Sequence, residues 1–254
     1  MSDFVDALYL SPHLDDAILS CGGQMAAAVA RGERVRVVTV FAGDPVGEPT
    51  PTARRLHEAM GLGDDAAARR REEDRAAGAR LGVEVEQWDL PDALYRRDAD
   101  GGPLIHDLRH VFDPRQRLDL ILHKRIARRL CDLPVAGRLV APLAIGGHLD
   151  HRAVRHAAEA IFGHQLRLYE DVPYARRGRA RRRVLGWSAL SRKRRAWRLE
   201  RLEVPREVQD AVLAAVDCYI TQVPLLFGSS DAMRRTFRRR WRRLGGERLW
   251  RRRA

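Results

Sequence analysis

Residues 7–41, ALYLSPHLDDAILSCGGQMAAAVARGERVRVVTVF, decide the fold class. Ala7–Ser11 and Val35–Phe41 are short, apolar and β-rich, as strands buried on both faces are. Between them Ile18, Cys21, Met25 and Val29 recur at helical spacing, and Gly32 supplies a stop. Strand, helix, strand within about 35 residues makes a βαβ unit, and βαβ units build parallel sheets. The same stretch places His13, Asp15 and Asp16 where the first strand hands over to the helix, although adjacent carboxylates repel each other.

Further along, the pattern predicts a helix over Asp65–Leu81 ended by Gly82, then a strand at Val83–Trp88. Residues 92–104 read as a polar loop. Ile105–Leu130 is mainly helical in pattern, with Pro114 breaking it near the middle. Leu139–Leu143 reads as a strand, Asp150–Ile161 as a helix, Leu166–Tyr169 as a strand and Pro205–Tyr219 as a helix. This alternation predicts an α/β fold, with an open, mostly parallel, Rossmann-like sheet and helices on both faces.

The chain has 254 residues, 45% hydrophobic and 32% charged, which suits one large α/β domain or one domain plus a small appendage. The expected division is a catalytic core over 1–173 and a basic part over 174–254 packed on it. No apolar run reaches the roughly 20 residues that span a bilayer, and MSDFVDALYL lacks the marks of a signal peptide. Cys21, Cys131 and Cys218 are odd in number and far apart, which predicts reduced thiols and a cytoplasmic setting. The net charge of +13 is uneven: residues 174–254 hold 24 Arg and Lys against 7 Asp and Glu. Anionic partners are therefore to be sought at that third of the chain.

In open α/β sheets ligands bind at the carboxyl ends of the strands. Two polar clusters fall there: PHLDD (12–16) and GGHLDH (146–151), which together supply His13, Asp15, Asp16, His148, Asp150 and His151. Two histidines and a carboxylate form a common catalytic zinc set, with a position left for water. A dication also offsets the repulsion between Asp15 and Asp16. His13 and Asp16, three apart across a turn, reach one metal with His151 completing the set; Asp15 points elsewhere, toward the attacking water, and His148 faces the reacting carbonyl. The alternatives are an N-cap role for Asp15 or Asp16 and a capped helix start with surface histidines at 148–151.

SPHLDDAILSCGG followed by GGHLDHRAV resembles the PIG-L/LmbE-like superfamily of zinc-dependent N-deacetylases. VTVFAG, RRREED, WDLPDALYRR, YEDVPYA, YITQVPLLFG and GGERLW look like the branch that includes the glycopeptide-antibiotic pseudoaglycone deacetylases. The resemblance implies that His13, Asp16 and His151 bind Zn2+, or Fe2+ in its place. It implies Asp15 as general base, and His148 as oxyanion stabiliser or acid toward the leaving amine. Arg70 and Asp92 look like the family's sugar-contacting pair, although Arg69 and Arg71 flank Arg70 and a run of arginines also suits a solvated face. The sequence departs from the family pattern at Ala17, where glutamate is common, and at Leu149, where proline is frequent. The implied substrate is an N-acetylated amino sugar of a glycoconjugate or secondary metabolite. An amide of thiol-conjugate type is the rival substrate.

Glu170 and Asp171 also fall at a strand end, as substrate contacts, caps or arginine partners, and His57 lies in a loop able to fold over the site. His106, His110, His123, His156 and His164 read as structural or surface groups. In DAMRRTFRRRWRRL, Met233, Phe237, Trp241 and Leu244 form one apolar stripe on a basic helix. That helix either docks on the domain with its arginines outward or offers a surface to an anionic lipid or glycan carrier at the membrane periphery. The rival from another class is a basic protein acting on membrane or nucleic acid, with a non-catalytic metal site. Nucleic acid is the weaker partner, for want of stacking aromatics, and a structural zinc would be closed by four protein ligands.

Overall fold

A computed structural model describes residues 4–174, 184–185 and 196–253. Strand β1 (Val5–Ser11) leads into helix α1 (Asp16–Ala30), β2 (Val35–Thr39), α2 (Pro51–Ala59), α3 (Ala66–Leu81) and β3 (Glu84–Gln87). Next come α4 (Leu120–Cys131), β4 (Ala136–Pro142), α5 (Leu149–Phe162) and β5 (Leu166–Tyr169). The remaining elements are β6 (Trp197–Leu202), α6 (Arg206–Val216), α7 (Gln222–Phe227), α8 (Ser230–Leu244) and β7 (Glu247–Arg252).

The strands form one sheet in the order β3-β2-β1-β4-β5-β7-β6. The first five are parallel, while β7 runs antiparallel to both β5 and β6. Strand order reverses direction at β1, between β2 and β4, so a crevice opens at their carboxyl ends. One sheet face is covered by α1, α3, α6 and α8 through Ile18, Met25, Leu81, Val212, Phe237 and Trp241. The other is covered by α4 and α5 through Ile126, Leu130 and Val154, in a cluster that includes Trp250 of β7. Helices on both faces and a mostly parallel sheet match the expectation.

The segment 105–130 departs from it. Only a 3-10 turn, Leu108–Phe112, precedes α4. Asp107, Asp113 and Asp119 each turn a carboxylate onto the backbone N–H two residues ahead, at Arg109, Arg115 and Ile121. These local bonds compete with helix propagation, and Pro114 lies among them. Strands β6 and β7 are not anticipated by the sequence pattern. Their arginines mask the alternation, yet Leu249 and Trp250 are buried on opposite faces.

Strand β7 also explains two glycine pairs. Glu247 accepts from the backbone N–H of Gly23 (2.9 Å) and Gln24 (3.0 Å), and a Cβ on Gly23 would lie 2.4 Å from Val204. The SCGG of α1 and the GGERLW of the tail thus meet at one junction. Of the basic part expected over 174–254, residues 175–183, 186–195 and 254 lie outside the described residues.

Candidate active site

Ser11 closes β1 and shapes the turn into α1. Its hydroxyl donates to the His13 carbonyl (2.6 Å) and accepts from the Ala17 N–H (3.0 Å). Asp16 Oδ2 in turn accepts from the His13 N–H at 2.9 Å. Asp15 occupies the N-cap position of α1 but makes no capping bond with its side chain. Its carboxylate remains free for another use.

Asp16 Oδ2 lies 3.2 Å from His13 Nδ1 and 3.1 Å from His151 Nε2. Tetrahedral bonds of about 2.0–2.2 Å put ligand atoms about 3.3–3.6 Å apart, slightly more than these two separations. The three histidines His13, His148 and His151 also bring nitrogens within 4.8 Å of one another, as do His13, Asp92 and Asp150 their ligand atoms. Asp16 approaches two of these histidines at hydrogen-bond distance. Its electrostatics suit a cation: Asp16 is held well below the usual carboxylate range against its burial, by His151 and His13. Burial opposes charge on His151, but Asp16 and Asp171 raise it to about 9. His13 is likewise pushed well above its ordinary value by Asp92, Asp150 and Asp16. A dication would take the place of these protons.

Each histidine is backed by a second carboxylate. His13 Nε2 faces Asp150 Oδ2 at 3.1 Å, and His151 Nδ1 faces Asp171 Oδ1 at 2.7 Å. Asp150 is fully buried, accepts from the Ala93 N–H at 2.9 Å and pairs with Arg96. Asp171, also fully buried, accepts from the Ile145 N–H at 3.1 Å. This carboxylate–histidine arrangement fixes ring orientation and tautomer at metal sites. The orienting role of Asp171 escapes the sequence pattern, where its only signal is a place at a strand end.

Asp15 lies 4.0 Å from Arg70 Nη2. Burial and then Asp16 push the Asp15 carboxyl up to about 7, with Arg70 and His13 pulling the other way. Arg70 differs from its flanking arginines: Arg69 lies outward beside Glu72, and Arg71 bonds the Ala42 carbonyl and Asp44. Arg70 Nε is buried and has no hydrogen-bond partner. Asp92 Oδ2 approaches His13 Nε2 at 3.4 Å. All seven residues named from the sequence therefore converge on the mouth of β1 and β4.

Residues 8–162 match the family model described as PIG-L: GlcNAc-PI de-N-acetylase. The chain belongs to the PIG-L family. It is 34% identical over 185 residues to a 2'-N-acetylparomamine deacetylase of Niallia circulans, a match covering 66% of each chain and so just under two thirds of that curated relative. Among solved structures it resembles the zinc-inhibited form of teicoplanin deacetylase Orf2, at 30% identity and a TM-score of 0.76 over 97% of both chains. The A40926 pseudoaglycone deacetylase Dbv21 is 29% identical, with a TM-score of 0.71 over 97% of this chain and 96% of that one.

In this PIG-L chain His148 caps α5, its Nδ1 accepting from the Asp150 N–H at 3.2 Å. A neutral imidazole that accepts at Nδ1 carries its proton on Nε2. Burial, then the neighbouring His13, lowers its pKa well below the ordinary value, so the ring is neutral. Phe112 packs edge-on against it with ring centroids 5.4 Å apart. The remaining polar candidates have partners of their own, although His57 lies within electrostatic reach of Arg70 and Asp92. His57 is buried and hydrogen-bonded to the Tyr95 hydroxyl (2.8 Å), and Glu170 accepts from Trp250 Nε1 (3.1 Å).

Proposed function

We propose that this chain is a metal-dependent N-deacetylase that frees the amine of an N-acetylated amino sugar in a glycoconjugate or secondary metabolite. Asp16 spanning two carboxylate-backed histidines, beside an uncapped Asp15, carries the reading. The relatives whose names specify N-acetylparomamine and pseudoaglycones support amino-sugar substrates. His13, Asp16 and His151 hold the metal, taken as Zn2+ with Fe2+ as the alternative. When bound, the dication polarises the acetyl carbonyl and lowers the pKa of water at the site.

Asp15 takes a proton from the water that attacks the acetyl carbon. His148 Nε2–H donates to the oxygen on which negative charge develops. The C–N bond then breaks, the leaving nitrogen takes up the proton that Asp15 received, and acetate departs with the free amine. Arg70 draws the Asp15 carboxyl back toward its ionised form, and with Asp92 it offers a donor and an acceptor to sugar hydroxyls. The neutral His148 favours oxyanion stabilisation over acid catalysis.

The test is acetate release from N-acetylglucosaminyl compounds, thiol-conjugate amides and N-acetylated aminoglycosides, with zinc at one equivalent. Asp15→Asn retains metal and loses most turnover; normal turnover would sink the mechanism. Activity confined to thiol-conjugate amides would overturn the sugar assignment.

A peripheral contact has its own observation. Arg235, Arg239, Arg242 and Arg243 lie exposed along one side of α8, while Met233, Phe237 and Trp241 are buried. With the apolar stripe packed inside, contact with an anionic lipid or glycan carrier is electrostatic and involves no insertion. Among the described residues no helix is long and apolar enough to cross a membrane. Co-sedimentation with anionic vesicles at low salt, lost at high salt, is the expected result.

A further inference from the structure

Arg96 and Arg97 are adjacent in the loop after β3, yet they are used differently. Arg97 lies outward, bonded to the carbonyls of Gly101 and Glu48. Arg96 turns inward, with its guanidinium 5.2 Å from the Phe41 ring centre and Nη2 donating to Asp150 Oδ1. Its Nη1 is buried and has no hydrogen-bond partner. Arg96 lies on neither of the two motifs, and none of the catalytic steps uses it.

Asp150 is fully buried, and a buried carboxylate needs both a counter-charge and hydrogen bonds. Arg96 and the Ala93 N–H supply them from one turn of chain, closed by the Tyr95 N–H on the Asp92 carbonyl at 2.9 Å. Arg96 takes Oδ1, and the Oδ2 that accepts from Ala93 also faces His13 Nε2 at 3.1 Å. For His13 to ligate through Nδ1, the nitrogen 3.2 Å from Asp16, its proton must sit on Nε2. An Asp150 carboxylate held in this orientation accepts from Nε2 and enforces that tautomer; a rotated one does not.

We propose that Arg96 is a positioning residue for the metal site, holding the Asp150 carboxylate in place so that His13 presents Nδ1 to the cation. The inference rests on His13 being a ligand, as proposed above. It also gives the loop a double role. Asp92, placed for the sugar, and Arg96, acting on the ligand, belong to the same short turn, so substrate contact and metal geometry share one support.

The experiment measures Zn2+ affinity of the full chain by competition with a chromogenic chelator, beside the melting temperature of the metal-free protein. Loss of an outer partner weakens metal binding about 10–100-fold, and that is expected for Arg96→Gln. Arg96→Lys, which keeps the charge but loses the planar fork, should bind zinc with an intermediate affinity. In a double-variant cycle, Arg96→Gln should add no further loss to Asp150→Asn, because both act through one carboxylate. Zinc affinity within two-fold of the native value in Arg96→Gln, or losses that multiply in the double variant, would overturn the proposal. If Arg96→Gln does not fold, native affinity in Arg96→Lys overturns it as well. His13→Ala separates the two readings: unchanged affinity there rejects His13 as a ligand, whereas a loss confined to His13→Ala rejects Arg96 alone.

Discussion

His151 Nδ1 and Asp171 Oδ1 lie 2.7 Å apart, both buried, at the junction of α5 with the end of β5. The bond commits Nδ1 to carry a proton and leaves Nε2, 3.1 Å from Asp16, as the nitrogen free to ligate. Asp171→Asn keeps the shape of the side chain and removes its charge. The expected outcome is zinc affinity lower by about 10–100-fold, with Ile145 still bonded through the retained carbonyl oxygen. Chelator competition measures it, and an affinity equal to that of the native chain would show that His151 needs no orienting anion.

The metal-free site should release protons when zinc enters. His151 titrates at about 9 in the folded chain, above its ordinary value, and His13 is raised as well. A raised histidine stabilises the folded state fully below about 6.5, and this contribution is lost as pH climbs through about 9. Metal binding has the opposite slope, since it requires the neutral rings. The melting temperature gained on adding zinc should therefore increase from pH 6.5 to 9. At pH 7.5 the calorimetric heat of binding should depend on the ionisation heat of the buffer. A buffer-independent heat would refute proton release.

Much of this site was legible because HLDD and HLDH each follow an apolar run, and a strand end is where an open sheet exposes side chains. Asp150 and Asp171 were visible as residues but not in their roles. The contact of His13 with Asp150 spans 137 residues, and no local spacing encodes it. Arg96 was hidden for the same reason, since only the loop's path distinguishes it from Arg97. The antiparallel β6 and β7 were obscured by composition: Arg198 stands directly across from Arg251, a pairing that sequence patterns count against a sheet. The segment 105–130 misled because its apolar spacing continues through three aspartate-capped turns.

Gly146 and Tyr174 supply a steric prediction. A Cβ on Gly146 would lie 2.7 Å from Tyr174 Cγ, and the Tyr174 ring stands edge-on to His151 with centroids 6.0 Å apart. Gly146→Ala must push that ring or the motif loop aside, which costs about 1–3 kcal/mol in a packed site. At about 2–4 °C per kcal/mol for a chain of this size, the melting temperature should fall by several degrees. Tyr174→Ala opens the space, so the double variant should lose less than the two single losses combined. Strict additivity in thermal unfolding would mean that the ring does not dictate the glycine.

The tail helix separates stability from charge. Phe237 and Trp241 are 2% and 4% exposed and meet edge-on at 5.6 Å between centroids, and they belong to the core shared with α1 and α6. Trp241→Ala should cost about 3–5 kcal/mol, while the zinc affinity of the folded protein stays unchanged. Replacing Arg239, Arg242 and Arg243 with alanine removes exposed charge alone, with an expected stability change within about 0.5 kcal/mol per site. The same triple variant should lose its binding to anionic vesicles at low salt, because nothing apolar on this face remains to hold it there. Retained vesicle binding would move the contact away from α8, and a large fall in melting temperature would show that these arginines stabilise the fold.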